Sequence, residues 1–186
     1  DVLEVKSIDK PIPKNDEVLV RIHATTVNRT DCAIVTGKPF IMRFFTGLFK
    51  PKQLIPGTDF AGQIEAVGKN VKAFKMGDTV FGFHDEGLQS QAEYMSISEK
   101  GNITKMPSNI SYEKAVASLE GAHYAYNFIS KVNVKSGQKI LVNGTTGAVG
   151  SALLQLLKYY ETDVTAVCNT KNIDLIKSLR ADRIID

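Results

Sequence analysis

Apolar and polar positions alternate through the first half of the chain and recur at helical spacing through the second. Glu17-Val18-Leu19-Val20-Arg21-Ile22-His23-Ala24 alternates as a half-buried strand does, with Pro11 and Pro13 as an extended lead-in. Residues 62–68, 79–83 and 91–97 read as three more strands, and Lys75-Met76-Gly77-Asp78 as a turn between two of them. Short strands bounded by glycine turns predict a small β-barrel or sandwich. The segment 107–115 starts a helix. Ser111 is its N-cap, and Lys114 stands where a capping box needs Glu or Gln, so the box is incomplete. A second helix is predicted over 121–131. The change of periodicity places a domain boundary near residues 108–118, giving domains 1–112 and 113–186.

The second domain is organised by Lys139-Ile140-Leu141-Val142-Asn143-Gly144-Thr145-Thr146-Gly147-Ala148-Val149-Gly150. Ile140 to Val142 form a short buried strand, three glycines follow, and Ser151 to Lys158 continue as an apolar helix. This order holds a pyrophosphate: backbone N–H groups at the helix start face the anion and the helix dipole favours it. The spacing is Gly144-x-x-Gly147-x-x-Gly150, and the strict G-x-G-x-x-G pattern would need glycine where Thr145 stands. Asn143, Gly144, Thr145, Gly147, Ala148 and Val149 are the candidate cradle; the alternative is a glycine-rich turn that binds nothing. Strand 163–168, helix 173–179 and strand 183–186 complete βαβαβ, half of a doubly wound parallel sheet. With its second half absent, a chain ending at Asp186 is expected to expose apolar sheet.

In such a fold an acidic residue about 20 positions beyond the glycines accepts from the ribose 2′-OH of NAD. Here that stretch reads Cys168-Asn169-Thr170-Lys171-Asn172, without a carboxylate. Asn169 and Thr170 can donate hydrogen bonds and Lys171 adds a point charge, which favours NADP. The alternative is that Lys171 is only a solvated residue at the next helix start.

Composition narrows the partners. Net charge is +3 over 186 residues and the basic residues are scattered, so a nucleic-acid partner is not expected. No apolar run is long enough to span a bilayer, and no membrane partner is expected. The segment from Asp1 shows no signal peptide and no initiator Met, pointing to a start inside a longer chain. Cys32 and Cys168 lie far apart in no metal-type spacing, so reduced thiols and a cytoplasmic location are expected. Between Gly37 and Pro56 an apolar and basic segment carries Phe40, Ile41, Met42, Phe44, Phe45, Leu48 and Phe49. It either roofs a ligand pocket or packs on the barrel or a partner subunit.

Residues 17–22, Val27-Asn28-Arg29-Thr30-Asp31, Ile55-Pro56-Gly57-Thr58-Asp59-Phe60-Ala61-Gly62, 67–71, 77–82, 142–150, 166–172 and 181–186 together resemble the zinc-independent medium-chain dehydrogenases/reductases, the quinone oxidoreductase-like enzymes. The resemblance runs along nearly the whole chain. It implies a two-domain fold: a GroES-like β-barrel catalytic domain, then an α/β Rossmann domain that is incomplete here, with the active site in the cleft between them. It also implies a homodimer and metal-free hydride transfer from NADPH to a quinone or an activated C=C or C=O substrate. The zinc-dependent alcohol dehydrogenases of the same superfamily are one alternative. Their first ligand cysteine corresponds to Asn28, their ligand histidine to Thr58, and their third ligand to about Glu120, and the structural zinc lobe is missing, so a zinc site is not expected. A non-catalytic NADPH-binding or sensing protein is the other.

The family's active-site positions fall on Asn28, Asp31 and the stretch around Tyr124. Asn28 is a candidate donor to a substrate carbonyl, or a residue that fixes the loop backbone. Asp31 orients that loop. Tyr124 stands where relatives place a small hydroxyl residue and is a candidate proton donor or a core tyrosine. His123 is either an acid/base or structural. Cys32 reads as packing, because the adjacent Asp31 disfavours its thiolate. Arg180 replaces the glycine with which relatives end a helix, so that end is expected to be strained or reshaped.

Overall fold

The computed structural model describes residues 3–41, 43, 44, 47, 48, 54–84 and 89–186. Two compact units divide the chain, Asp1–Ala117 and Ser118–Asp186.

The first unit is an antiparallel five-stranded sheet ordered β4-β1-β2-β3-β5. Its strands are β1 (Glu17–Thr25), β2 (Asp59–Val67), β3 (Thr79–Phe83), β4 (Tyr94–Ser98) and β5 (Ile103–Lys105). Val18, Val20, Phe60, Ile64, Val80, Met95 and Ile97 close its core. The strand expected from Gly62 begins three residues earlier, because Asp59, Phe60 and Ala61 already pair with Phe83, Gly82 and Phe81. Gly62 is no strand terminus: it lies beside a register shift, where a Cβ would meet the Arg21 carbonyl oxygen at 2.1 Å. The strand expected from Gln91 begins at Tyr94, opposite Arg21, while Gln91 donates from its side chain to the Thr26 carbonyl. The three-residue β5 has too few positions to show a period in the sequence.

Helix α1 (Arg29–Thr36) follows β1 where a loop was expected. Helix α2 (Tyr112–Ala117) starts at the expected cap, with the Lys114 N–H donating to Ser111 Oγ at 3.4 Å. The Tyr112 ring stacks on His23 of β1 at 4.5 Å, which fastens this helix to the sheet. The expected boundary at 112 thus falls at the start of a helix that belongs to the first unit.

The second unit contains α3 (Leu119–Ser130), β6 (Lys139–Asn143), α4 (Ala148–Tyr159), β7 (Asp163–Val167), α5 (Ile173–Ser178) and β8 (Arg183–Ile185). The strands are parallel in the order β6-β7-β8, the first half of a doubly wound sheet. Ile129, Val142, Leu154, Leu157, Val164, Ala166 and Ile176 form the core. Lys158 reaches both carboxylate oxygens of Asp182, at 2.9 and 2.7 Å, and the Val164 N–H donates to the same carboxylate at 2.6 Å. Lys158 first, and then that amide, hold the Asp182 carboxyl below the usual range. One acidic side chain thereby ties α4, β7 and the approach to β8.

At the end of α5 the expected strain is present. Arg180 adopts φ +67°, with its N–H bonded to Lys177 O at 2.9 Å. A left-handed non-glycine residue costs about 1–2 kcal/mol, of which glycine's extra unfolded-chain entropy returns roughly half. Arg180→Gly is therefore expected to stabilise the fold by about 0.5–1 kcal/mol, read as a Tm increase of about 2 °C in thermal denaturation.

Candidate functional site

In the first unit the site residues are assembled by the start of α1. Asn28 is its N-cap: Asn28 Oδ1 accepts from the Asp31 N–H at 2.9 Å, and Asp31 Oδ2 accepts from the Asn28 N–H at 3.0 Å. This reciprocal capping box fixes both residues. The Asn28 amide then donates to Thr58 Oγ1 at 2.6 Å and to Asp59 Oδ2 at 3.3 Å, and Thr26 Oγ1 donates to the same Asp59 oxygen at 2.7 Å. An asparagine amide has two N–H donors, and both are engaged. Of the two roles expected of Asn28, donor to a substrate carbonyl or residue that fixes the loop backbone, these contacts are the ones the second would use. The residue locks β1, α1 and the start of β2 together. Asp31, 2% exposed, is held by the same box. Burial pushes its carboxyl above the usual range, while the backbone amides of Asn28, Thr58 and Gly57 pull it back. Thr26, Thr58 and Asp59 were not singled out as members of this cluster. The available signal was Asn28-x-x-Asp31, the spacing of a capping box.

The donor set does not suit zinc. An amide and a hydroxyl bonded to one another occupy the positions that the resemblance gives to ligands in zinc-dependent relatives. Among the described residues no three His, Cys, Asp or Glu side chains cluster so as to hold a metal ion.

In the second unit the turn after β6 has the form that a diphosphate requires. Gly144 adopts φ +75°, open only to glycine without strain, and a Cβ there would meet nothing within 4 Å. Gly150 serves a different need: its Cβ would meet the Gly144 carbonyl oxygen at 2.2 Å, so α4 lies tight against the turn. Gly147 caps α4 without a side-chain hydrogen bond. The first intrahelical bond runs from Ser151 N–H to Gly147 O, which leaves the N–H groups of Ala148, Val149 and Gly150 without helical acceptors. Thr145 departs from the expected cradle. Its side chain is buried, and its hydroxyl donates to Val167 O at 2.9 Å. Its backbone N–H donates to the same oxygen at 3.3 Å and the whole residue is buried, so it pins the turn to β7. Asn143 ends β6 on the exposed side.

Past β7, Asn169, Thr170 and Lys171 are all exposed, and Thr170–Asn172 form a 3₁₀ turn. The Thr170 hydroxyl donates to the Asp186 carboxylate. The tip is free of carboxylates along the chain but not in space, because parallel β8 delivers one from the neighbouring strand end.

Tyr124 is on α3, in the other unit from Asn28, and is 43% exposed, so it is not a core residue. Gly121, one turn earlier, brings α3 against the start of α4: a Cβ there would meet Ala148 O at 2.7 Å. His123 sits edge-on to Tyr124 at 5.6 Å and shares a hydrogen bond with Asn127 at 3.0 Å. Cys32 is exposed on α1.

Residues 14–134 match the family described as the alcohol dehydrogenase GroES-like domain. The chain is 36% identical to a 2-methylene-furan-3-one reductase of Solanum lycopersicum, covering 100% of this chain and 49% of the relative. It is 33% identical to an NADPH-dependent alkenal/one oxidoreductase, chloroplastic, of Arabidopsis thaliana, covering 100% and 49%. Among solved structures, a quinone oxidoreductase of Pseudomonas syringae superposes with a TM-score of 0.84 at 26% identity, over 98% of this chain and 54% of that one. The chain spans about half the length of the curated relatives it matches. With its capping-box cluster, glycine turn and two-unit fold, this chain belongs to the alcohol dehydrogenase GroES-like domain family, among the quinone oxidoreductase-like medium-chain dehydrogenases/reductases.

Proposed function

We propose that the protein is an NADP-dependent reductase that passes a hydride to a quinone or an activated C=C or C=O substrate without a catalytic metal. The observation that carries this reading is the glycine turn: an uncapped helix start, one glycine at positive φ and another pressed on the turn's own carbonyl. NADPH, when bound, supplies the hydride.

The chain's residues bind and orient. The N–H groups of Ala148, Val149 and Gly150 receive the diphosphate, and Gly144 and Gly147 let it approach the backbone. Lys171 and Asn169 face the adenosine 2′-phosphate, with Asp186 opposing it. Asn28, Asp31, Thr58 and Asp59 keep the α1 start rigid, so that a substrate meets fixed walls rather than a mobile loop. Tyr124, exposed on α3, is the side chain proposed to deliver the proton. The names of relatives, alkenal/one and quinone oxidoreductases, agree with this substrate class.

The test is NADPH oxidation against a panel of quinones and enones, with and without a chelator. Turnover unaffected by the chelator is expected. Alcohol oxidation that depends on added zinc would overturn the reading. NADPH binding without any turnover would leave a binding protein instead.

A further inference from the structure

The apolar and basic segment after α1 is not absorbed by the proposed reaction. Met42, Phe45 and Phe49 lie outside the described residues. The described ones form a helical turn: Arg43 N–H bonds to Phe40 O at 3.0 Å, and Phe44 N–H to Ile41 O at 3.1 Å. Its described apolar side chains stand mostly in solvent. Phe40, Ile41 and Phe44 are 63%, 61% and 62% exposed, and Leu48 beyond them is exposed too. Phe40 and Phe44 instead meet each other edge-to-face at 5.9 Å, and the Arg43 guanidinium lies 5.8 Å over the Phe40 ring. Lys38 is exposed beside them.

Charge settles what kind of surface this face fits. No acidic residue occurs between Asp31 and Asp59, whereas Lys38, Arg43, Lys50 and Lys52 all fall in that interval. Residues 121–160 likewise hold Lys131, Lys135, Lys139 and Lys158 and no acidic residue. Aromatic and aliphatic tips flanked by Lys38 and Arg43 match a layer that is negative at its surface and apolar just beneath. A protein partner that covered the same face would have to present apolar and acidic groups together.

We propose that the Phe40–Phe44 turn, with Lys38 and Arg43, docks the protein on the headgroup region of an anionic lipid bilayer. Phe40, Ile41 and Phe44 enter the boundary of the acyl region, and the two cations pair with lipid phosphates. The attachment is peripheral and reversible, so it needs no spanning helix; among the described residues no helix is long and apolar enough to cross a membrane. The expectation of no membrane partner rested on the lack of a span, which does not bear on a peripheral contact.

The test is co-sedimentation of the protein with vesicles of phosphatidylglycerol and phosphatidylcholine in equal parts, against pure phosphatidylcholine. Binding to the anionic vesicles, reduced by salt, is expected. At about 1 kcal/mol per surface cation, a Lys38→Ala/Arg43→Ala protein should bind about thirtyfold more weakly. Phe40→Ser/Phe44→Ser should weaken binding by at least about tenfold, as apolar area no longer leaves water. The chain contains no tryptophan, so Phe44→Trp supplies a single reporter whose emission should shift to the blue on anionic vesicles alone. That readout does not depend on the double variants folding. Equal binding to both vesicle types would overturn the proposal, as would an emission from Phe44→Trp that anionic vesicles leave unshifted. Apolar substitutions that change only the oligomeric state, or only the KM for quinone, would overturn it too, and would assign the turn to a second copy or to the substrate pocket.

Discussion

Gly150→Val is expected to remove NADPH binding, raising Kd by at least about a hundredfold, or about 2.7 kcal/mol. The reason is local and steric. A Cβ at this position would lie 2.2 Å from the Gly144 carbonyl oxygen and 2.9 Å from its carbonyl carbon, and both are backbone atoms of the turn itself. No side-chain rotation relieves such a contact. Either α4 moves away from β6, or the turn that places the N–H groups of Ala148 and Val149 is rebuilt. Overpacking of this kind costs about 1–3 kcal/mol, so urea denaturation should show a loss of stability as well. Gly147→Ala separates the two effects. Its Cβ would meet only the Gly144 oxygen, at an ordinary 3.6 Å, and its φ of −78° suits any residue. The fold should tolerate it, so a weaker NADPH complex with an unchanged urea midpoint would report the approach of the diphosphate alone. Fluorescence titration of both variants with NADPH gives the comparison. Unaltered affinity in Gly150→Val would mean that the turn is not the cradle.

Those glycines could be read because their signal is local: a strand, a spaced set of residues without side chains, and a helix lie within twenty positions. The barrel strands could be read for a similar reason, since alternation repeats over each strand. What escaped reading was set by partners distant in sequence. Gly62 looked like the start of a strand, yet its missing side chain serves the close passage of β1 at Arg21. The partners of Asn28 could not be read, because Thr58 and Asp59, which its amide meets, stand about thirty positions away. Thr145 looked like a departure from the glycine pattern on the ligand side, whereas its hydroxyl turns inward to the end of β7. Helix α1 escaped for a different reason. Its eight residues bury only Asp31, so no apolar stripe marked it, and the capping box at its start was its one signal.

The tip after β7 carries the second large effect, and it too depends on a residue distant in sequence. Lys171 and Asp186 bear opposite charges on the strand-end side of the sheet, and Asp186 accepts from the Thr170 hydroxyl. A ribose 2′-phosphate arriving there adds about two negative charges; Lys171 attracts it and Asp186 repels it. Lys171→Glu is expected to weaken NADPH by about thirtyfold, or about 2 kcal/mol, while NADH changes little. Asp186→Asn keeps an acceptor for the Thr170 hydroxyl and removes the charge, so NADPH should tighten by roughly threefold to tenfold with NADH again unmoved. Both shifts should shrink as salt rises, because the tip is exposed and its charges are screened. Equilibrium titrations with the two nucleotides at low and high salt measure this directly, without reference to turnover. An NADPH-to-NADH affinity ratio that stays constant across both variants would place the 2′-phosphate away from this tip. If the ratio moves only with Lys171, the Asp186 carboxylate serves the Thr170 hydroxyl and has no part in choosing the nucleotide.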